Sequence, residues 1–219
     1  MRDGRLSGGA LLFTDMKGCG NPSGTICVYK MFTMSYSYHS EQWLPNPVEE
    51  VFTFFANPDN LPLLMPPWQK TRIEKASIVP APRNGATSTS PAEAAGVGTR
   101  LTLSFRPFPL SPVRVRWETE ITEFSWKGQF CDRQISGPFA YWHHCHRLRS
   151  VDRAGIDMTL IVDHVEYDVP FGPLGKFAHS AFLRRQIEET FAFRQRQVAK
   201  ILAQVTPESP KQHQHPRAS

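Results

Sequence analysis

Hydrophobic and polar residues alternate along much of the chain, with the period of two that is typical of β-strands with one buried face. The clearest alternation is Val113–Phe124, where Arg and Glu occupy every second position, as on the solvent face of an antiparallel sheet. Its residues predicted to face inward are Val113, Val115, Trp117, Thr119 and Ile121. The other predicted strands are Tyr36–Leu44, Thr71–Val79, Thr99–Phe105, Phe130–Ile135, Tyr141–Arg149 and Met158–Val169.

Apolar residues spaced by three and four predict helices in the remaining regular segments. Pro47–Ala56 is one such segment, with Asn46 as its predicted N-cap and two Glu residues in its first turn. Asp59–Met65 predicts a second short helix, which ends at two prolines.

A long C-terminal helix is predicted over Leu174–Gln204. Its predicted apolar stripe is Leu174, Phe177, Ala181, Ile187, Phe191, Val198 and Leu202. Arg184, Glu188 and Gln195 fall within the same stripe. Arg184 and Glu188 are four residues apart, so one interpretation is a salt bridge at the edge of the stripe. The alternative is that these polar groups face a cavity between the helix and the sheet.

The order of elements is a strand, two short helices, about six antiparallel strands and one long helix. This order predicts an α+β arrangement in which a curved antiparallel sheet wraps around the C-terminal helix. Strong curvature leaves a hollow between the two layers, and ligands bind in hollows of this kind.

Three segments lack hydrophobic periodicity. Residues 1–34 are predicted to be a disordered or wrongly assigned N-terminal extension, with translation starting at Met31 or Met34. Residues 205–219 are predicted to be a disordered tail, which leaves one domain at 35–204. Pro80–Gly98 is rich in Ala, Pro, Ser and Thr, and is predicted to be a long mobile connection.

Charge and cysteine content restrict the function and the location. The net charge of +5 is spread over 219 residues without a basic block, so no nucleic-acid partner is expected. The four cysteines form no C-x-x-C pair, which favours reduced thiols in a cytoplasmic protein. No run of about 18 apolar residues occurs, so no stable membrane insertion is expected. We expect a monomer or a homodimer.

The candidate site lies on the predicted strands of residues 128–169. Alternate residues of a strand share a face, so Trp142, His144 and His146 lie on one face, whereas His143 and Cys145 lie on the other. If the faces of the neighbouring strands coincide, they present further polar side chains to the same surface. The predicted ligand-binding residues are Asp132, Gln134, Trp142, His144, His146, Asp163, Tyr167 and Trp117.

Several short sequence motifs agree with this order of elements. They are Gln42-Trp43-Leu44-Pro45, Val48-x-x-Val51-Phe52-x-Phe54-Phe55, Asn57-Pro58-x-Asn60-Leu61, Asp132-x-Gln134-x-x-Gly137-Pro138-Phe139-x-x-Trp142-x-His144-x-His146 and Asp163-x-x-x-Tyr167-x-x-Pro170-x-Gly172. From about Tyr36 to Gln204 the chain resembles the SRPBCC (START-like, Bet v 1-like) superfamily, and most closely its bacterial ligand-binding group related to polyketide cyclase/dehydrase proteins. The resemblance implies the helix-grip fold and a cavity for a hydrophobic or amphipathic small molecule, such as a lipid.

The chemistry of the polar cluster allows three interpretations. The two histidines and a nearby Asp have the residue types of a metal site, but a hydrogen-bonded network is the commoner arrangement, and neither a metal nor another cofactor is expected. Alternatively, His144 or His146 acts as a general base oriented by Asp163, as in a cyclase or dehydratase of carbonyl substrates. In the third interpretation the cluster only holds a ligand's polar end. A carboxylate beside the imidazoles is predicted to keep them charged.

Overall fold

The computed structural model describes residues 36–82 and 94–205, so the predictions for 1–34, for residues 83–93 and for the C-terminal tail lie outside the described residues. The seven strands are β1 (Tyr36–Leu44), β2 (Arg72–Ser77), β3 (Arg100–Phe105), β4 (Val115–Ser125), β5 (Gln129–Ser136), β6 (Tyr141–Arg153) and β7 (Ile156–Asp168). The helices are α1 (Val48–Ala56), two 3₁₀ segments (Pro58–Leu64 and Pro67–Gln69), α2 (Gly172–Ala178), a π turn (His179–Leu183) and α3 (Arg184–Val205).

All seven strands form one antiparallel sheet in the order β1-β7-β6-β5-β4-β3-β2. The crossover that places β7 beside β1 brings the first strand next to the last one, and the sheet curves around the C-terminal helix. The helix-grip α+β fold predicted from the sequence is confirmed. Within this sheet β6 pairs with both β5 and β7, which sets Asp132 opposite His144 and His146 opposite Asp163.

Helix α1 begins one residue later than predicted. Pro47 occupies the N-cap position and offers no side-chain cap, so the prediction that Asn46 caps this helix is wrong. Asn46 is buried instead, and its amide donates to Glu50 and to the carbonyl oxygen of Leu202 near the end of α3. It therefore ties the two helices together. Val51 and Phe52 on the inner side of α1 are fully buried.

The C-terminal helix is continuous from 172 to 205, but its predicted apolar stripe holds only in the second half. Ile187, Phe191, Val198 and Leu202 are buried, as predicted. By contrast Leu174 is 70% and Phe177 72% exposed, and Ala181 is exposed as well. The π turn lies between the two halves, and its wider turn breaks the 3.6-residue period on which the prediction rested.

Two further predictions about packing need correction at particular residues. Val113 lies just before β4 and is 63% exposed, so it does not belong to the inward-facing set. The described ends of the Pro80–Gly98 segment are packed, because Pro80 and Ala95 form a β-bridge and Ala81, Ala94 and Ala95 are buried. The amide of Ala95 donates to the carbonyl of Ala56, which fixes this segment to the end of α1.

The polar residues of the helix stripe also have defined positions. Arg184 Nε lies 3.2 Å from Glu188 Oε1 in an exposed i,i+4 salt bridge, so the first interpretation of this pair is confirmed. Gln195 instead contacts β1, where it donates to the carbonyl of Glu41 while its own carbonyl accepts from Gln42. These hydrogen bonds hold α3 against the edge strand.

A disulfide joins Cys131 to Cys145, so the prediction of reduced thiols is wrong for this pair. The two residues are 14 positions apart and lie directly opposite each other on β5 and β6. Their proximity depends on strand register, which the spacing in the sequence does not reveal.

Candidate functional site

A cavity of about 150 Å³ lies between the inner face of the sheet, the second half of the C-terminal helix and the short helices after β1. Most of its wall is apolar and is formed by residues of the helices and of the sheet. The helical part contributes Phe54, Phe55, Leu61, Leu64, Met65 and Phe191, and the sheet contributes Leu101, Leu103, Ile121 and Phe130. Trp117 and Trp142 also line the cavity and meet edge to face, with ring centroids 5.0 Å apart.

One part of the wall is polar. It is formed by Asp132 on β5, His144 and His146 on β6, and Arg194 on α3. Both histidines are nearly inaccessible, at 4% and 1% exposure. Their side chains face inward because they alternate with His143 and Cys145, and the register of β5 and β7 supplies an Asp on either side.

The polar groups form a chain of hydrogen bonds and close ion-pair contacts centred on Asp163, which lies behind the histidines and is itself buried. Asp163 Oδ1 is 3.1 Å from His144 Nε2 and 2.6 Å from His146 Nδ1. Arg194 Nη2 donates to His146 Nε2 over 3.2 Å. Since an arginine can only donate, this bond assigns the proton of neutral His146 to Nδ1, which faces the carboxylate. At the other end His144 Nδ1 lies 3.7 Å from Asp132 Oδ1.

Burial controls the ionisation of these groups. Burial and, more weakly, the neighbouring His146 lower the pKa of His144 to about 4, against the opposing effect of the two carboxylates. Burial also lowers the pKa of His146. Burial acts to raise the pKa of Asp163, but the two imidazoles reverse this effect and hold it below its usual value. The prediction that the carboxylate keeps the imidazoles charged is therefore wrong, because the loss of hydration outweighs the attraction.

Asp132 differs from Asp163 in its surroundings. Burial raises its pKa, while His144 and Arg194 act more weakly in the opposite direction. It lies at the cavity wall with the unprotonated ring nitrogen of His144 as its nearest histidine atom. An Asp with a raised pKa beside a neutral imidazole can hold a proton and release it, which is the property required of a general acid or base.

Three residues of the predicted set do not line the cavity: Asp163, which lies behind the histidines, Gln134 and Tyr167. The side-chain amide of Gln134 donates to the carbonyl of Phe139 and its oxygen accepts from the amide of Phe139, so it stabilises the turn between β5 and β6. Gly137 in this turn leaves room for that contact, since a Cβ there would overlap the Gln134 amide oxygen and come within 2.7 Å of Trp117. Tyr167 is fully buried, burial raises the pKa of its hydroxyl, and this hydroxyl shares a hydrogen bond of 2.8 Å with His179 Nε2.

Arg194 is the main residue of the cavity wall that the sequence analysis missed. Its guanidinium also lies 5.5 Å from the ring centroid of Phe55 and 5.9 Å from that of Phe191. Arg194 is three residues after Phe191 and four before Val198, so it falls on the buried stripe of α3. This helical spacing is the sequence signal that could have identified Arg194 as a residue of the cavity wall.

The residue types of the inner cluster also allow a metal interpretation. Donor atoms of His144, His146 and Asp163 all lie within 4.8 Å of one another. The distances of the two histidine nitrogens from Asp163 Oδ1, 2.6 and 3.1 Å, are however typical of hydrogen bonds. The other ring nitrogen of His146 accepts a hydrogen bond from Arg194. The geometry favours the hydrogen-bonded interpretation of this cluster.

Comparison with solved structures identifies the fold class. Norcoclaurine synthase from Thalictrum flavum is similar over 76% of this chain and 86% of its own, with a TM-score of 0.51 and 17% sequence identity. A START superfamily protein from Mycobacterium smegmatis is similar over 78% of this chain and 99% of its own, with a TM-score of 0.51 and 11% identity. A structure of norcoclaurine synthase in complex with dopamine and hydroxybenzaldehyde matches at a TM-score of 0.50 and 18% identity, over 78% of this chain and 88% of that one.

These neighbours confirm the predicted resemblance at the level of fold: the chain has the START-like, Bet v 1-like fold of the SRPBCC superfamily. No protein-family model and no curated protein sequence matches the chain. Among the described residues, no helix is both long and apolar enough to span a membrane.

Proposed function

We propose that the protein binds one small hydrophobic or amphipathic molecule in the cavity between the sheet and α3. The observation that carries the proposal is the cavity itself, which combines a mostly apolar wall with a cluster of ionisable groups formed by Asp132, His144, His146 and Arg194. A wall of this composition suits a ligand with an apolar body and one polar end.

The size of the cavity supports a ligand of about one ring rather than a long-chain lipid. Its volume of about 150 Å³ equals that of an engineered protein cavity that binds benzene. Dopamine and hydroxybenzaldehyde, the compounds named for the norcoclaurine synthase complex, are single-ring molecules as well. We therefore propose a single-ring compound whose apolar face contacts Trp117 and Trp142.

The polar end of the proposed ligand is a carbonyl or phenol oxygen. The ring N–H groups of both histidines face Asp163, which leaves Asp132 as the group best able to exchange a proton with a ligand. Because burial raises the pKa of Asp132, its protonated form donates a hydrogen bond to such an oxygen. Arg194 adds positive charge on the same side of the cavity.

Titration with 4-hydroxybenzaldehyde tests this proposal, with tryptophan fluorescence and isothermal calorimetry as readouts. We expect saturable binding at one site, and loss of binding when Leu103→Trp fills the cavity. Ile156→Trp adds the same side chain at a position that is 57% exposed, and should leave the affinity unchanged. Absence of saturable binding to the folded protein, or equal affinity of both variants, would overturn the proposal. Preferential binding of a long-chain fatty acid would overturn the one-ring assignment.

The second candidate is an enzyme of the cyclase or dehydratase type that acts on a carbonyl substrate. The contact between Asp132 and His144 favours it, because it joins an Asp of raised pKa to a neutral base at the cavity wall. Transfer of deuterium from D₂O to the carbon beside a bound ketone, followed by NMR, is the direct test. An enzyme should lose roughly 10²–10⁴-fold in rate in Asp132→Asn, with a much smaller change in affinity. A pure binding protein should catalyse no exchange.

The cytoplasmic location and the monomeric or homodimeric state remain predictions from the sequence. Both are independent of the proposed ligand, so size-exclusion chromatography with light scattering can test the oligomeric state separately.

A further inference from the structure

The outer face of the sheet carries a second cluster of chemically active side chains, directly behind the cavity wall. Glu123 on β4 lies opposite Cys131 on β5, and Cys131 lies opposite Cys145 on β6. His143 precedes Cys145 by two residues on the same strand and therefore shares its face. Three adjacent strands thus bring two sulfur atoms, an imidazole and a carboxylate to one place.

Two of the distances between these donor atoms are close to the edges of a tetrahedral metal site. The ring nitrogen Nε2 of His143 lies 3.9 Å from Cys145 Sγ, and Glu123 Oε2 lies 3.6 Å from Cys131 Sγ. A tetrahedron with Zn–S bonds of about 2.3 Å and Zn–N or Zn–O bonds of about 2.1 Å has edges of about 3.5 Å. Two edges therefore already have nearly the required length, and the donor atoms of Cys131, His143 and Cys145 all lie within 4.8 Å of one another.

The bond between Cys131 and Cys145 is what keeps this set from binding a metal. A sulfur atom engaged in a disulfide has no thiolate charge to offer a cation. Reduction adds two electrons and two protons and breaks the S–S bond. A thiol reductant becomes a disulfide, and a phosphine takes the oxygen of a water molecule and becomes a phosphine oxide. The sulfur atoms can then separate to the S–S edge of a tetrahedral zinc site, about 3.8 Å, by rotation of the two side chains.

We propose that the reduced form binds one Zn²⁺ on the outer face of the sheet, through the thiolates of Cys131 and Cys145, Nε2 of His143 and a carboxylate oxygen of Glu123. Two thiolates, an imidazole and a carboxylate are ligand types that zinc accepts. Binding displaces both thiol protons to solvent.

The surroundings of the ligands suit this role. Cys131 and Cys145 are buried, whereas Glu123 is exposed and His143 partly exposed, so the cation can enter from the side of these two residues. Gln129 Nε2 donates to Glu123 Oε2 at 2.9 Å and so orients the carboxylate. Such supporting hydrogen bonds typically accompany metal ligands. The inner histidines face the opposite side of the sheet and take no part.

The test uses the full chain with Cys19 and Cys27 changed to Ser, so that only the proposed pair supplies thiolates. Protein reduced with a phosphine is titrated with Zn²⁺ against a chromophoric chelator, and with Co²⁺ to record the sulfur-to-cobalt charge-transfer absorption. We expect one equivalent bound per chain with that absorption, and no binding by the oxidised protein. Cys131→Ser should lower the Zn²⁺ affinity by more than about 100-fold, beyond the 10–100-fold that loss of a supporting group costs.

Matched histidine variants separate ligation from general effects of the outer face. His164 lies opposite Cys145 on β7, on the same face as His143, and is directed towards Glu166 with 3.3 Å between Nε2 and Oε1. We expect His143→Ala to lower the Zn²⁺ affinity by more than about tenfold and His164→Ala to leave it unchanged. His143→Ala keeps both cysteines, so its result does not depend on how the strands tolerate a serine.

Three results would overturn the proposal: no Zn²⁺ bound by the reduced, folded protein, an unchanged Zn²⁺ affinity in Cys131→Ser, or equal losses of affinity in the two histidine variants. None of these results bears on ligand binding in the cavity, because the two sites lie on opposite faces of the sheet.

Discussion

The two faces of β6 place chemically similar residues in opposite environments. His144 and His146 face the cavity, where burial lowers the pKa of both rings and a shared carboxylate, Asp163, holds them in place. On the outer face His143 is partly exposed, whereas Cys145 is buried and its sulfur is bonded to Cys131 on the neighbouring strand. The comparison shows that the parity of a residue in a strand, rather than its type, decides whether its side chain joins the buried network at the cavity or the sulfur-containing cluster on the outer face.

The largest expected effect comes from removing the charge at the centre of the inner network. Asp163→Asn leaves two imidazole N–H groups and Arg194 without their carboxylate, and should reduce the free energy of unfolding by about 3–5 kcal/mol. Asp157→Asn is the matched control, since this Asp lies on the same strand but is exposed and bonds only Ser150 among the described contacts. It should change stability by less than about 0.5 kcal/mol. Urea unfolding measures both, and equal losses would contradict the assigned difference.

Acid should destabilise the protein through the inner face. The pKa of His144 is about 4 in the folded protein and 6.5 for an ordinary histidine, so between these values the unfolded chain binds a proton that the folded protein does not. Stability therefore falls as the pH drops from 6.5 to about 4, by about 3 kcal/mol if His144 acts alone. His144→Gln should flatten the stability profile in this window. A profile that stays level in the unmodified protein would show that the ring is protonated while folded.

Reduction of the disulfide should have a smaller effect, on the outer face. The disulfide closes a loop with a sequence separation of 14 and so restricts the unfolded chain. Its reduction should lower the free energy of unfolding by about 2–3 kcal/mol. Thermal unfolding with and without a phosphine reductant, at pH values where His144 is neutral, measures this difference. The measurement is made in the presence of a metal chelator, because bound Zn²⁺ would restore stability to the reduced form.

The smallest expected effect is that of His143→Ala without metal. The ring is partly exposed and lies on the solvent side, so the free energy of unfolding should change by less than about 0.5 kcal/mol. The neighbouring His144→Ala removes a buried partner of Asp163 and should cost about 1–3 kcal/mol. Equal losses of stability in the two variants would contradict the assignment of His144 to a buried network and of His143 to the solvent side.

The sequence was sufficient to predict the fold and the face of β6 that points inward. Alternation with a period of two determines which residues share a face, so Trp142, His144 and His146 were grouped correctly without knowledge of the neighbouring strands. Strand register is a different quantity. It depends on pairing between distant segments, so the facing positions of Cys131 and Cys145 could not be obtained from their spacing.

Electrostatic state was the least predictable property of the site. The presence of an Asp beside two His residues suggested charged imidazoles, but the outcome depends on how completely the groups are removed from water. That degree of burial arises from the packing of Phe55, Phe130 and Phe191 against the two rings. Which of these aromatic side chains meet a histidine is a property of the three-dimensional arrangement, even though each residue was visible in the sequence.

The π turn at 179–183 has a consequence for how this chain can vary. A π turn holds one more residue than an α turn, and its His179 is anchored by stacking on Tyr36 and by the hydroxyl of Tyr167. Deleting one residue there would restore an uninterrupted α-helix and rotate the preceding segment by about 100° relative to α3. The second half of the helix, which forms the cavity wall, would keep its orientation. Insertions and deletions at this turn therefore re-aim Leu174 and Phe177 on the surface and disturb the contacts of His179 with Tyr36 and Tyr167, while the cavity wall formed by α3 is kept.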